Sequence, residues 1–88
     1  MVHSLKCWPS FFWAMVDGHK PFEFRKNDRD FRDGDELVLC EYEPSANAMS
    51  GRQIWATVDR VFREVPGLPS GYCLMSLKDI KVHLSGGA

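Results

Sequence analysis

Eighty-eight residues, 44% of them hydrophobic, make one small domain: too apolar for a disordered chain and too short for a second core. Six Phe, three Trp and two Tyr supply large rings for a core of that size. A formal net charge of −1 excludes a general attraction to polyanions, so a nucleic acid would have to meet a local basic patch.

Residues 3–8 are short and mixed and read as a strand. Pro9 suits the first position of a helix, residues 10–17 continue it, and Gly18 is its left-handed stop. Phe11, Phe12, Trp13, Ala14, Met15 and Val16 leave almost no polar face, which predicts a helix buried on most sides. Residues 21–26 alternate as a strand, with Phe22 and Phe24 assigned to the core and Glu23 and Arg25 to the outside. "RDGD" (residues 32–35) carries the Asp-Gly signal of a tight turn.

Residues 36–43 follow as a strand, apolar on both faces at residues 37–40 and exposed at Glu41 and Glu43. Composition makes residues 44–52 a surface loop. Residues 53–63 form the longest strand, with Ile54, Ala56 and Val58 on one face. A bulge near Asp59 and Arg60 then returns Val61 to the inner side. Residues 64–71, rich in Pro and Gly, connect to a closing strand at 72–82, and 83–88 are expected to be a flexible tail. The order β-α-β-β-β-β is mainly β with one main helix (α+β). It predicts a small, mostly antiparallel pseudobarrel over residues 1–88, closed so that no strand edge is left free.

Cys7, Cys40 and Cys73 are odd in number and form no Cys-x-x-Cys pair, which points to reduced thiols in the cytoplasm. His3, His19 and His83 stand at no finger-like spacing to them, so neither a metal nor another cofactor is expected. The apolar run 11–16 falls short of the roughly 20 residues that cross a bilayer, and no basic leader precedes it. No membrane partner is expected.

The segment "DGHKPFEFRKNDRDF" (residues 17–31) concentrates charge around three phenylalanines. Lys20, Glu23 and Arg25 are the candidate ligand-binding group at a barrel mouth. Arginine offers a planar fork to phosphate or a base edge, lysine a point charge, and glutamate an acceptor for an exocyclic amine. Lys26 and Arg29 would line the rim, and Trp8, between the first strand and the helix, would stack on a base. The plain alternative is a solvated face. Its ion pairs are worth about 0–1 kcal/mol, Asp28 or Asp30 caps a turn, and the tryptophans are core or half-buried residues.

The run "HSLKCWPSFFWAMVDGHKPFEFRKNDRDFRDGDELVLCEYEP", with "GLPSGYCLMSLK" near the end, resembles a family of small bacterial and phage domains related to the ASCH domains of the PUA-like superfamily. The most specific part is the helix followed by Gly18-x-Lys20-x-x-Glu23-x-Arg25, then Gly34-Asp35. The resemblance implies a PUA-like pseudobarrel that binds RNA or a nucleotide, with Lys20 at the cleft and Glu23 and Arg25 on the next strand. Some ASCH relatives are amidohydrolases on acylated cytidine that use a Lys, a Thr and a Glu. Lys20 matches that lysine, but the threonine position is Glu23 here, which removes the hydroxyl nucleophile. The resemblance also admits a hydrolase on RNA, with Glu23 as base and Lys20 or Arg25 as cation. His19 is then either an acid–base group or simply solvent-exposed. A protein–protein module using the charged strand face is a third reading.

Overall fold

The computed structural model describes residues 1–84. It contains β1 (Val2–Cys7), α1 (Pro9–Val16), β2 (Phe22–Lys26), β3 (Glu36–Glu43), β4 (Ala48–Phe62) and β5 (Tyr72–His83). The expected order is present: mainly β, with one short helix. The helix boundaries have the local causes read from the sequence. Pro9 opens it, Asp17 caps it with its N–H on the Trp13 carbonyl, and Gly18 follows at φ 80° with its N–H on the Met15 carbonyl.

The strands form one curled sheet in the order β1-β3-β4-β5-β2, a half-barrel of pseudobarrel type. The sheet is mostly antiparallel, as expected, with β1 alone lying parallel to its neighbour β3. Parallel neighbours need a long crossover, and α1 with β2 provides one between β1 and β3. One expectation is corrected: the barrel does not close by strand pairing, because β1 and β2 are the two ends of the order. Arginine side chains span the seam instead. Arg25 Nη2 donates to the Lys6 carbonyl at 2.5 Å, and Arg29 Nη1 donates to the Ser4 carbonyl at 2.9 Å. These guanidinium groups satisfy edge carbonyls that a pairing strand would otherwise take.

The core collects the inward residues of each strand: Leu5 and Cys7, Leu37 and Leu39, Ile54, Ala56 and Val58, and Cys73, Met75 and Leu77. Phe31 joins them from the β2–β3 connection. The helix buries Phe12 and Met15, with Val16 partly buried beside them, one narrow stripe, so it is not buried on most sides as expected. Phe11 and Trp13 are exposed because one face rests on the sheet and the other looks outward. Glu41 is also corrected, since it is buried and not exposed. A register irregularity between Cys40 and Tyr42 lies at Glu41, which accepts Trp13 Nε1 at 2.8 Å and Arg52 Nη1 at 3.1 Å. That carboxylate ties the helix to β3.

The expected loop at 44–52 is shorter than read. Asn47, at φ 47°, completes the turn, and Ala48 and Met49 already pair with Glu43 and Tyr42. The bulge expected near Asp59 is present between Val58 and Arg60, and a second irregularity lies where Asp79 takes φ 51°. His83 ends β5 instead of opening a tail, and residues 85–88 lie outside the described residues.

Candidate functional site

Strand β2 faces the opposite way from the sequence reading. Glu23 is only 3% exposed, whereas Phe22 and Phe24 are 40% and 47% exposed. The cause is pairing with β5: Glu23 lies opposite Met75 and Arg25 opposite Cys73, both core residues. Directly opposed residues share a sheet face, so Glu23 and Arg25 are carried inward and the two rings outward.

Buried this way, Glu23 needs partners, and it has two. Lys20 Nζ donates to Oε1 at 2.5 Å, and Arg25 Nε donates to Oε2 at 2.9 Å. Lys20 also donates to the Phe22 carbonyl at 2.9 Å, and its position follows from the Gly18 stop and the His19 N–H on the Ala14 carbonyl. This is a partly buried network, in place of the exposed ion pair of the plain alternative.

Above the network opens a cleft of about 620 Å³ between the β1 and β2 edges. Lys20, Glu23, Arg25, Lys26, Arg29 and Trp8 all line it, so the structure brings together the whole candidate ligand-binding group. Leu5, Cys7 and Phe31 lie beneath it as a buried apolar floor. Lys6 also lines the cleft, but its ammonium sits 4.5 Å from the Tyr42 ring centre. Four cationic side chains therefore stand against two carboxylates there, Glu23 and Asp28. The local excess of positive charge exists in a molecule of net charge −1.

The sequence reading missed the rest of the aromatic lining. Trp8 lies near-parallel to Phe11 with centroids 6.2 Å apart, and Phe24 stacks on Tyr72 at 5.5 Å. Phe22 lines the cleft as well. Phe22, Phe24 and Tyr72 were legible only through the β2–β5 register, which residue alternation does not contain. His19 is exposed and does not line the cleft. Trp13 and Trp55 are partly exposed outside it. The turn after β2 is held by Asn27, whose Oδ1 accepts the Phe31 N–H at 2.9 Å, in place of the Asp28 or Asp30 cap considered above. Cys7 was not expected here, and its chemistry is quiet. Burial, then the Glu23 charge, push its thiol up to about 11 against the opposing pull of Lys20 and Arg25, so it stays protonated at neutral pH.

The model of the family described as "Domain of unknown function (DUF3850)" matches residues 2–77, which include every residue of the cleft. The chain belongs to this family. It is 33% identical over 60 residues to the "Uncharacterized 12.9 kDa protein in GpA 3'region" of Escherichia phage P2. That alignment covers 68% of this chain and 53% of the phage protein, so the chain spans about half of that relative.

Two further carboxylates in this DUF3850 domain organise the fold around the cleft. Asp35 accepts His3 Nε2 at 2.8 Å and the Arg32 N–H at 3.1 Å, joining β1 to the turn before β3. Burial pushes the Asp35 carboxyl up, but these hydrogen bonds outweigh it and its pKa lies below the ordinary value. Burial likewise opposes the Ser50, Arg52 and Trp13 hydrogen bonds at Glu41, and again the net shift is downward. Depressed carboxylates contribute stability that is present above their unfolded values, about 3.9 for Asp and 4.3 for Glu. That stability is lost as pH falls through the lower folded values. Urea midpoints should therefore drop steeply below about pH 4, and Glu41→Gln should flatten the slope. An identical acid slope in that variant would remove Glu41 from this account. Among the described residues no three His, Cys, Asp or Glu side chains converge as a metal site, and no helix is long and apolar enough to cross a membrane.

Proposed function

We propose that this DUF3850 domain is a PUA-like, ASCH-related module that binds RNA or a nucleotide in the cleft between β1 and β2. One observation carries the reading: Lys20, Arg25, Lys26 and Arg29 surround a cleft with apolar surface and exposed aromatic rings. Single-stranded nucleic acids are held by that combination, with cations on phosphates and rings on base faces, at about 1–3 kcal/mol per stacked base. Its free thiols suit a reducing cytoplasm.

The hydrolase alternative has less support. Glu23 is buried with both oxygens accepting hydrogen bonds, which argues against a free general base. The Lys20 nitrogen is engaged by the Phe22 carbonyl and the Glu23 carboxylate, a setting that suits binding of an anion or carbonyl better than attack on one. No observation favours the protein–protein reading over this one.

Tryptophan fluorescence reads the site directly, since Trp8 stands exposed at the cleft. Titration with a short single-stranded RNA should give affinity that falls with salt, with a log–log slope of about −0.7 per phosphate neutralised. Salt-independent binding, or none at micromolar protein in low salt, would defeat the proposal.

A further inference from the structure

The cleft does not offer hydrogen-bond donors and acceptors equally. The Glu23 side chain is only 4% exposed, and each of its oxygens already accepts a hydrogen bond. The Lys20 and Arg25 side chains are 15% and 25% exposed and still have N–H groups to give. An ammonium carries three donors and a guanidinium five. Lys20 commits two of them, to the Phe22 carbonyl and to Glu23. Arg25 commits two, to Glu23 and to the Lys6 carbonyl. One N–H of Lys20 and three of Arg25 are left. The Lys6 and Ser4 carbonyls at the seam are engaged by Arg25 and Arg29. The one other carboxylate among the described residues that line the cleft, Asp28, is exposed to solvent and hydrated, unlike the partly buried Lys20 and Arg25.

A planar base entering this cleft therefore meets uncommitted donors along its inner wall. The adenine edge presents the N6 amino group beside N7 and would set a donor against those donors, whereas guanine presents two adjacent acceptors, O6 and N7. An arginine fork matches that acceptor pair, and a buried donor facing another donor is left without a partner. We propose that the cleft selects a 6-oxopurine base, guanine or hypoxanthine, over the 6-aminopurine adenine, through the free N–H groups of Arg25 and Lys20. This rests on the nucleotide-binding reading above and adds which base chemistry that site takes.

The test uses the native protein and three ligands: guanosine, inosine and adenosine 5′-monophosphates, titrated by tryptophan fluorescence at low salt. Inosine and adenosine monophosphates share sugar and phosphate, and their bases differ only at the edge carrying position 6. Guanosine and inosine monophosphates should bind at least about fivefold tighter than the adenosine nucleotide. Equal affinities, tighter adenosine binding, or complete displacement of all three by equimolar inorganic phosphate would overturn the selection while leaving anion binding in place. RNA binding without measurable binding of any of the three would also overturn it. Absence of both RNA and nucleotide binding would instead sink the binding module itself.

Discussion

Phe12→Ala and Phe31→Ala should each destabilise the domain by about 3–5 kcal/mol, the cost of removing a fully buried ring from a packed core. Both rings are fully buried, Phe12 on the helix and Phe31 on the connection that follows β2. Phe22→Ala and Phe24→Ala should behave differently, because their rings stand on the outward face of β2. Their effect on stability should stay near the scale of surface changes, about 0.5 kcal/mol, with somewhat more at Phe24 from its contact with Tyr72. Binding should weaken in Phe24→Ala even so. Urea denaturation of the four variants, followed by circular dichroism, separates the two classes. A loss of about 3 kcal/mol or more at Phe22 would restore it to the core and contradict the β2 register.

Arg25→Ala is expected to have the largest combined effect, since one side chain serves both scaffold and site. It removes a donor from the buried Glu23 carboxylate and frees the Lys6 carbonyl at the seam. Leaving a buried acceptor without its partner costs about 1–3 kcal/mol, and Lys20 holds the other Glu23 oxygen, which keeps the loss within that range. Nucleotide affinity should fall about tenfold or more, as for a lost bidentate contact. Arg25→Lys should recover part of the stability and little of the affinity, because an ammonium has no planar fork to reach Glu23, Lys6 and a ligand together. Calorimetric melting beside fluorescence titration measures both quantities. Lost stability with unchanged binding would make Arg25 a seam clamp only.

Local chemistry alone determined several elements of this protein. Pro9 and Gly18 bound the helix through backbone geometry, and residues 36–43 read as a strand with the limits it has. The bulge beside Asp59 followed from a break in the apolar alternation, because Val58 and Val61 cannot share a face without an extra residue. Charge and motif also placed Lys20, Glu23, Arg25, Lys26, Arg29 and Trp8 around one cleft. Other features depended on partners distant in the chain. The alternation Phe22-Glu23-Phe24-Arg25 is symmetric between its two faces, and only the register with Cys73 and Met75 chose the charged one as the inner face. The inward turn of Glu41 required Trp13 and Arg52 from two other elements. The parallel seat of β1 and the seam spanned by Arg25 and Arg29 arise only when both chain-early strands reach opposite ends of one sheet. A period of two records that a strand has two faces, but which face is buried is a free-energy difference set by the neighbouring strand.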